Sequence, residues 1–591
     1  MGSGFRDGMQ KKASTGRACP PVPRALTSPF VNLPLLAVSV LVLLALGYRF
    51  YGRFVAAQFA LDPDAATPAV LRDDGVDFVP TRPFYLLGQH FSAIAAAGPI
   101  AGPILACQQF GWLPCLLWIT LGVVFIGAVH DFSSLIASVR HGGRSIAEII
   151  KQHLGRRAWL AMMAFIWVAL VYVILAFADI TASTFVGRTE DLEGSAFAFN
   201  QGGAVALASC LYLLLSVVMG VVDRWIKPPL WLTTIVFVPA TLGVVWLGTQ
   251  YSTLLVLPGR TWGILILVYC FAASLVPVWA LLQPRGYLGG FVLYMALAVG
   301  VAGIFLGGFA IQQPAFKTWH APGASGALFP FLFVTIACGA CSGFHGLVCS
   351  GTTSKQIARE THCRPVGYGG MLLEAFVALI ALSTVMIASS GELTGKAPGT
   401  IYGLGLGRYL AEIIGQDRLV FATTFGMMAF STFVFDTLDV STRLGRYVLQ
   451  ELTGWSGKGG AILGTALTAF VPLVFLLAAG EGAYRLFWVL FGTSNQLLAA
   501  LSLLGISVWL KRSGRRSLFT WIPMGFVLFI TVWSLVLQAL AAARAFAASG
   551  RVDLPVLNGA VSVVLLALAA LLVMETARAL RGAPPAAATA A

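Results

Sequence analysis

Residues Gly88 to Ala106 read GQHFSAIAAAGPIAGPILA, a run apolar enough to cross a bilayer that carries its own helix breakers. Gly98-Pro99 and Gly102-Pro103 interrupt it in the middle. Proline removes a backbone donor and clashes with the preceding turn, and glycine weakens the helix further. Unpaired backbone is tolerated at membrane depth only where it faces protein or a water-filled cavity. Discontinuous helices near the midplane are how secondary transporters bind substrate and coupling ion. The run therefore predicts a transporter.

Composition agrees. The chain has 591 residues, 58% hydrophobic and 10% charged, with a mean hydropathy of +0.84. That is too apolar for a soluble protein of this size. Its net charge of +14 sits in short loops beside the apolar runs, as the positive-inside rule expects. No basic stripe with interleaved aromatics suggests a nucleic-acid partner. Most of the nine cysteines lie inside apolar runs, where Cys338 and Cys341 stand three apart without obvious partner ligands, so they read as packed small residues, with no metal centre or cofactor expected.

Fifteen or so apolar runs follow one another from residue 33 to 577, each long enough for a core of roughly 30 Å. A basic tail over 1–32 precedes an accessory span at 33–52, and a low-complexity, disordered tail is expected over 581–591. The basic loops Arg140–Arg157, Lys355–Arg364 and Lys511–Arg516 fall on one side by alternation, which the positive-inside rule makes cytoplasmic. The fold class expected is an all-α polytopic membrane protein. Its core, residues 85–453, would be a ten-helix 5+5 inverted repeat of the sodium/leucine-transporter type, with broken helices near 98–103 and 276–277. In this reading 261–283, with Pro277, is the second broken helix, 328–353 is a polar eighth helix, and spans over 454–580 are accessory.

Several stretches carry a resemblance: YRFYGRFVA (48–56), DGVDFVPT (74–81), GAVHDFSSL (127–135), PVWALLQPRGYL (277–288), GACSGFHGLVCSGTTSKQIARE (339–360), GYGGMLLEAFVAL (367–379), DTLDVSTRLGRYVLQEL (436–452) and FGTSNQLLAALSLL (491–504). With the broken run they run through some 450 residues, and in them the chain resembles the carbon starvation protein A family of bacterial inner-membrane proteins. The resemblance implies nutrient uptake in starved cells, as pyruvate–proton symport or as peptide uptake. Family members usually carry an acidic residue where this chain has Gly286, which leaves substrate and coupling details open.

The residues offer candidate sites. Gln89, His90 and Ser92 lead into the break at Gly98, Pro99 and Gly102, whose free amides favour a carboxylate and whose free carbonyls favour Na⁺. Pro277, Trp279 and Gln283 would line the pocket from the second break. Gly98→Leu is expected to fill ligand space, harming transport more than folding. Asp131, His345, Glu374, Asp436 and Asp439 are the intramembrane titratable groups, and such groups are costly enough to suggest function. Asp439 reads as the partner of Arg443, Asp436 as a group sharing a proton with Asp439, and Arg285 as a snorkelling residue or cytoplasmic gate. Ser342 lies between two glycines ahead of His345, while Ser350, Thr352 and Thr353 offer hydroxyls for a cation. The bland alternatives are a proline kink, a neutral histidine on a carbonyl, and a helix terminus at Lys355.

No HExxH, GxSxG, Walker A or zinc motif appears, which argues against an enzyme or a nucleotide-driven pump. The expectation is a secondary carrier importing a small carboxylate with H⁺, Na⁺ being the alternative ion. A sensor built on a transporter scaffold is the alternative class.

Overall fold

The structure is a computed structural model that describes residues 32–75, 77–187, 189–191, 198–321, 326–480 and 482–581. The tails expected at the two ends lie outside the described residues, Asn32 and Arg581 excepted. Asn32 opens the first span, α1 (Leu33–Phe59), by accepting the Leu35 amide at 2.9 Å, an N-cap that satisfies one of the orphan donors.

Twelve helices are long and apolar enough to cross a membrane, among the described residues, and a bent pair adds a thirteenth. In chain order α1 is followed by the pair α2a (Pro83–Ile94) and α2b (Gly98–Phe110), then α3 (Trp112–Arg140) and α4 (Arg156–Phe185). Next come α5 (Gln201–Trp225), α6 (Leu230–Gln250), the shorter apolar α7 (Gly259–Leu275) and α8 (Leu282–Leu306). A second interrupted span, α9a (Leu328–Thr335) and α9b (Gly343–Gly351), precedes α10 (Glu360–Met386), α11 (Gln416–Thr453) and α12 (Gly457–Ala478). The chain ends in α13 (Tyr484–Arg512), α14 (Leu518–Ser549) and α15 (Leu554–Arg581). These are the fifteen expected spans. A short β-ribbon, Thr189–Asp191 with Ala198–Asn200, joins α4 to α5.

Length decides which interruptions are breaks within a span. The halves α2a and α2b have 12 and 13 residues and meet at 47°. The halves α9a and α9b have 8 and 9 residues, only about 12–14 Å each at 1.5 Å per residue. Neither half crosses alone. By contrast α7 and α8 have 17 and 25 residues, together far longer than a core of about 30 Å. The helix does stop at Leu275, but Val276 to Leu281 join two separate crossings. The second broken helix is therefore 328–351 rather than 261–283. Proline misled the assignment, because the break in α9 contains none.

Contacts between the helices pair two-fold. α2b packs on α10 as α9b packs on α3; α4 crosses α11, and α7 lies on α12. α8 packs on α11 and on the connector helix Pro398–Ile414, as α13 packs on α4 and on the connector helix Ile146–Leu154. The repeat thus runs α2, α3, α4, α7, α8 against α9, α10, α11, α12, α13, with α5–α6 as an inserted hairpin. α13, expected to be accessory, is wholly buried across its apolar window; a helix packed outside the core would face lipid.

The basic loops meet on one face. Arg140 holds Glu360 in a two-point pair at 2.8 and 2.9 Å and donates to Ala60 O at 3.2 Å. Arg515 donates to Phe59 O, Arg512 to His153 O at 2.5 Å, and Arg72 to Gly142 O at 3.1 Å. The C-terminal end of α1 is therefore on the basic, cytoplasmic face.

Candidate functional site

A broken helix leaves backbone groups to satisfy, and α9 shows where they go. The indole of Trp488 donates to Thr335 O at 3.0 Å and that of Trp118 to Ile336 O at 3.2 Å. Across the gap, Asn495 Oδ1 accepts the Phe344 amide at 2.9 Å, and its Nδ2 donates to Ser342 Oγ at 3.0 Å. The α2 break is less furnished: no side chain caps the first amides of α2b, and Pro99 has none to offer.

The two breaks touch. A Cβ on Gly98 would lie 2.4 Å from Cys338 Sγ, and one on Gly102 would lie 2.7 Å from Thr335 O. Gly98→Leu would thus drive α9 away instead of filling a ligand cavity, so the expectation that it spares folding is overturned. The accessible side of α2 is Gln89, Ser92, Ala93 and Ala96, whereas Ala95, Ala97, Gly98 and Pro99 are buried. Gln89 is exposed, and Ser92 Oγ faces α8 at Gly290.

Beside the breaks lies a dry chain of titratable groups. α3 is π-helical over Trp118–Gly127, and α10 over Arg364–Gly369. These wide turns, common at functional sites, precede Asp131 and Glu374 respectively. They are stitched together by Tyr368, which donates to Val124 O at 2.8 Å. Asp131 receives His130 Nδ1 at 2.8 Å on one oxygen and His345 Nδ1 at 2.9 Å on the other. His345 Nε2 then lies 3.2 Å from Glu374 Oε2, outside hydrogen-bond geometry, and neither Glu374 oxygen has a hydrogen-bond partner. All four side chains are 0–1% exposed. With Nδ1–H committed to Asp131, His345 Nε2 and Glu374 can hold one proton between them, on either atom.

His90 meets the expected cation hydroxyls in part. Its Nδ1 lies 2.9 Å from Thr353 Oγ1. Ser350 and Thr352 instead bond Gly346 O at 2.7 Å and Val348 O at 3.1 Å, four residues back. Ser350 Oγ also caps the Ile146 amide at 3.1 Å. These bonds engage the hydroxyl protons of Ser350 and Thr352 and leave oxygen lone pairs on their hydroxyls. His90, Asp131 and Cys349 offer ligand atoms within 4.8 Å of one another, a group able to hold a metal among the described residues. Both Asp131 oxygens are already occupied by histidines.

A second charged centre joins α8 to α11. Arg285, 1% exposed, lies 2.5 Å from Asp436 and 2.7 Å from Asp439. Tyr269 donates to Asp439 at 2.8 Å, and Tyr212 to Arg285 O at 2.9 Å. Arg443, the expected partner of Asp439, instead covers Ala273 O and Val276 O at 2.8 and 2.7 Å, satisfying the last carbonyls of α7. Arg285 neither snorkels nor hangs free. Pro277, Trp279 and Gln283 are exposed at the α7–α8 turn, where Trp279 stacks on Arg224. They stand apart from the breaks because α7–α8 is a loop between crossings.

Trp118, Trp488 and Asn495 escaped the sequence reading. An amide inside the apolar stretch FGTSNQ (491–496) was the available signal, since buried polar groups need partners.

Two interrupted helices in a two-fold repeat, with titratable chains at and beside the breaks, mark a polytopic membrane protein whose interior is built around polar groups. The sequence profile described as Carbon starvation protein CstA matches residues 32–395 and 388–534, and the chain belongs to that family. It is 34% identical to the "Peptide transporter CstA" of Campylobacter jejuni over 84% of this chain and 79% of that one. It is 32% identical to the "Pyruvate/proton symporter BtsT" of Escherichia coli K12 over 83% and 79%. Among solved structures, a manganese transporter of Eremococcus coleocola superposes with a TM-score of 0.43 at 14% identity, covering 84% and 95%. The chain is a multi-pass bacterial membrane protein of a transporter family.

Proposed function

We propose that this protein imports a small carboxylate of the pyruvate type with protons across the bacterial inner membrane in carbon-starved cells. The observation that carries the reading is the Asp131–His345–Glu374 chain, which ties α3, α9b and α10 together beside both helix breaks. A proton taken up or released by the His345–Glu374 pair changes its net charge at the junction of α9b and α10, which is what coupling to a conformational change needs. The uncapped start of α2b supplies positive potential for the carboxylate, approached from Ser92 and Ala96. Sodium is the alternative ion, since Ser350 and Thr352 donate their protons to their own helix but keep oxygen lone pairs that a cation could use. Peptide uptake is the second reading, favoured by the names of relatives such as the Campylobacter jejuni protein; a peptide presents the same terminal carboxylate.

Purified protein in liposomes, given labelled pyruvate or a labelled dipeptide, tests this. Accumulation driven by an inward proton gradient without Na⁺ is expected, with pyruvate preferred. Uptake that requires Na⁺ and ignores the proton gradient would overturn the coupling, and dipeptide uptake uninhibited by pyruvate would overturn the substrate.

A further inference from the structure

The Arg285 centre has more acids than direct cationic partners. One guanidinium faces two carboxylates, while Arg443 stands beside them and spends its donors on backbone carbonyls. Two cations and two acids leave the set formally neutral, in a place where unpaired charge is costly.

The two acids are not equivalent. Asp439 is fully buried and further held by Tyr269. Asp436 is 26% exposed although its partner is 1% exposed, so it forms the accessible face of the centre. Opposite it, α8 presents glycines: Gly289 is closed over by Asp436, Tyr212 and Thr432, while Gly286 and Gly290 stand open. A Cβ on Gly289 would lie 3.0 Å from Asp436 Oδ2, one on Gly286 would meet nothing within 4 Å, and one on Gly290 would meet only Ser92 Oγ at 3.8 Å. This bare strip runs from Arg285 toward Ser92, which leads into the α2 break. From Arg285 to Gly290 is about 7.5 Å of helix rise. Arg285 also has donors to spare: its Nε makes no hydrogen bond. Alternating crossings put the start of α8 on the face where the basic loops gather.

We propose that Arg285 is a second carboxylate-binding station, on the cytoplasmic side of the break, which Asp436 occupies in the empty carrier and yields to substrate carboxylate when it takes up a proton. This rests on the carboxylate reading above and adds a residue and an order to it. The charges balance. With both acids ionised, Arg285 and Arg443 bring the centre to zero; a proton on Asp436 raises it to +1, and the incoming carboxylate returns it to zero. Arg285 has two anionic partners before the exchange and two after it, and its planar fork suits carboxylates in either arrangement. One proton then enters for each carboxylate bound at this station.

The groups facing Asp436 are few. They are Arg285 from α8, Tyr212 from α5, Tyr269 from α7 through Asp439, and Asp439 and Arg443 on its own helix. α6 carries no titratable residue, and α12 only Lys458 in its first turn. On α4, Tyr172 is bonded to Asn558, and Asp179 accepts the Tyr484 amide at the start of α13.

The test is direct binding of labelled pyruvate and of a labelled dipeptide to the purified full chain between pH 5.5 and 8.5. If one proton accompanies one carboxylate, wild-type affinity weakens by about tenfold per pH unit above the transition. Asp436→Asn should remove one proton from that slope and abolish proton-driven accumulation in liposomes. Arg285→Lys should weaken binding more than tenfold; should it fail to fold, Gly286→Leu, placed in open space, should weaken binding by obstructing the strip. An Asp436→Asn protein with the wild-type slope overturns the proposal, as does undiminished binding by the folded Arg285 or Gly286 variant. Failure of the wild type to bind either probe overturns the carboxylate reading itself.

Discussion

The two charged centres solve the same problem in opposite ways. At Asp131, one carboxylate is shared by two histidines, with Glu374 waiting at 3.2 Å, and nothing in the set is more than 1% exposed. At Arg285, one permanent cation is shared by two carboxylates, and one of these is open to the outside of the core. Histidine can lose its proton near neutral pH and arginine cannot. The first centre is thus suited to moving a proton without moving partners, and the second to exchanging partners around a fixed charge. Only the first includes a residue of a broken helix, His345 of α9b.

Removing Asp131 should separate them most sharply. Asp131→Ala leaves His130 and His345 without their shared acceptor in a dry site. Losing one partner of a buried charged pair costs about 3–5 kcal/mol. The variant should lose uptake altogether and melt well below the wild type, whereas Asp436→Asn, which keeps the Arg285–Asp439 pair, should melt close to it. Equal destabilisation by the two substitutions, measured by thermal unfolding in one detergent, would erase the distinction between a dry and an open centre.

A smaller effect should follow from loosening one break. Asn495→Leu removes the acceptor of the Phe344 amide and the donor to Ser342. A buried amide left unpaired costs about 1–3 kcal/mol. The α9 gap should open, seen as faster hydrogen exchange over 336–351 with little change over 95–103. Unchanged exchange at α9 would mean that the two indoles alone hold the gap.

How much of this was legible in the sequence differs between the same two regions. Gly98-Pro99 announced the α2 break because proline cannot hide its missing donor. The break lies just before it, at residues 95–97. Gly102-Pro103, expected to be unwound, sits inside α2b, where the early turns of a helix tolerate proline. The α9 break is made by tertiary partners, the Trp118 and Trp488 indoles and the Asn495 amide, which come from remote spans and leave no local mark. Proline at 277 marked a turn between crossings, which local sequence does not distinguish from a break; the lengths of the flanking helices do. His345 and Asp131 were singled out as ionisable groups at membrane depth, but that they bond each other depends on α3 meeting α9b. Arg285 lay at the edge of an apolar run and read as snorkelling; helical spacing also paired Asp439 with Arg443. The spacing rule sees only neighbours on one helix, whereas Arg285 reaches these acids across two.

The mildest effect concerns a third pair of titratable groups, on the cytoplasmic face and outside both centres. His141 Nδ1 donates to Ala137 O at 2.7 Å, so its Nε2 is the acceptor for His153 Nε2–H at 2.9 Å. Burial, more than the neighbouring Arg144, lowers the affinity of His141 for a proton. Burial, then His141 and Arg512, push the pKa of His153 down to about 4. Burial holds both toward the neutral form in the folded protein, while an unfolded histidine titrates near 6.5. Below that value the unfolded chain binds more protons, so the contribution of the pair is fully present above pH 6.5 and is lost as pH falls toward 4. Protonation would also set two N–H groups face to face and weaken the seat of helix Ile146–Leu154 under α13. The melting temperature should therefore fall between pH 7 and 5 by more in the wild type than in His153→Gln, whose backbone carbonyl still receives Arg512. Equal falls in the two proteins would show that the pair is indifferent to protonation and that the acid sensitivity of the fold lies in the membrane-embedded centres.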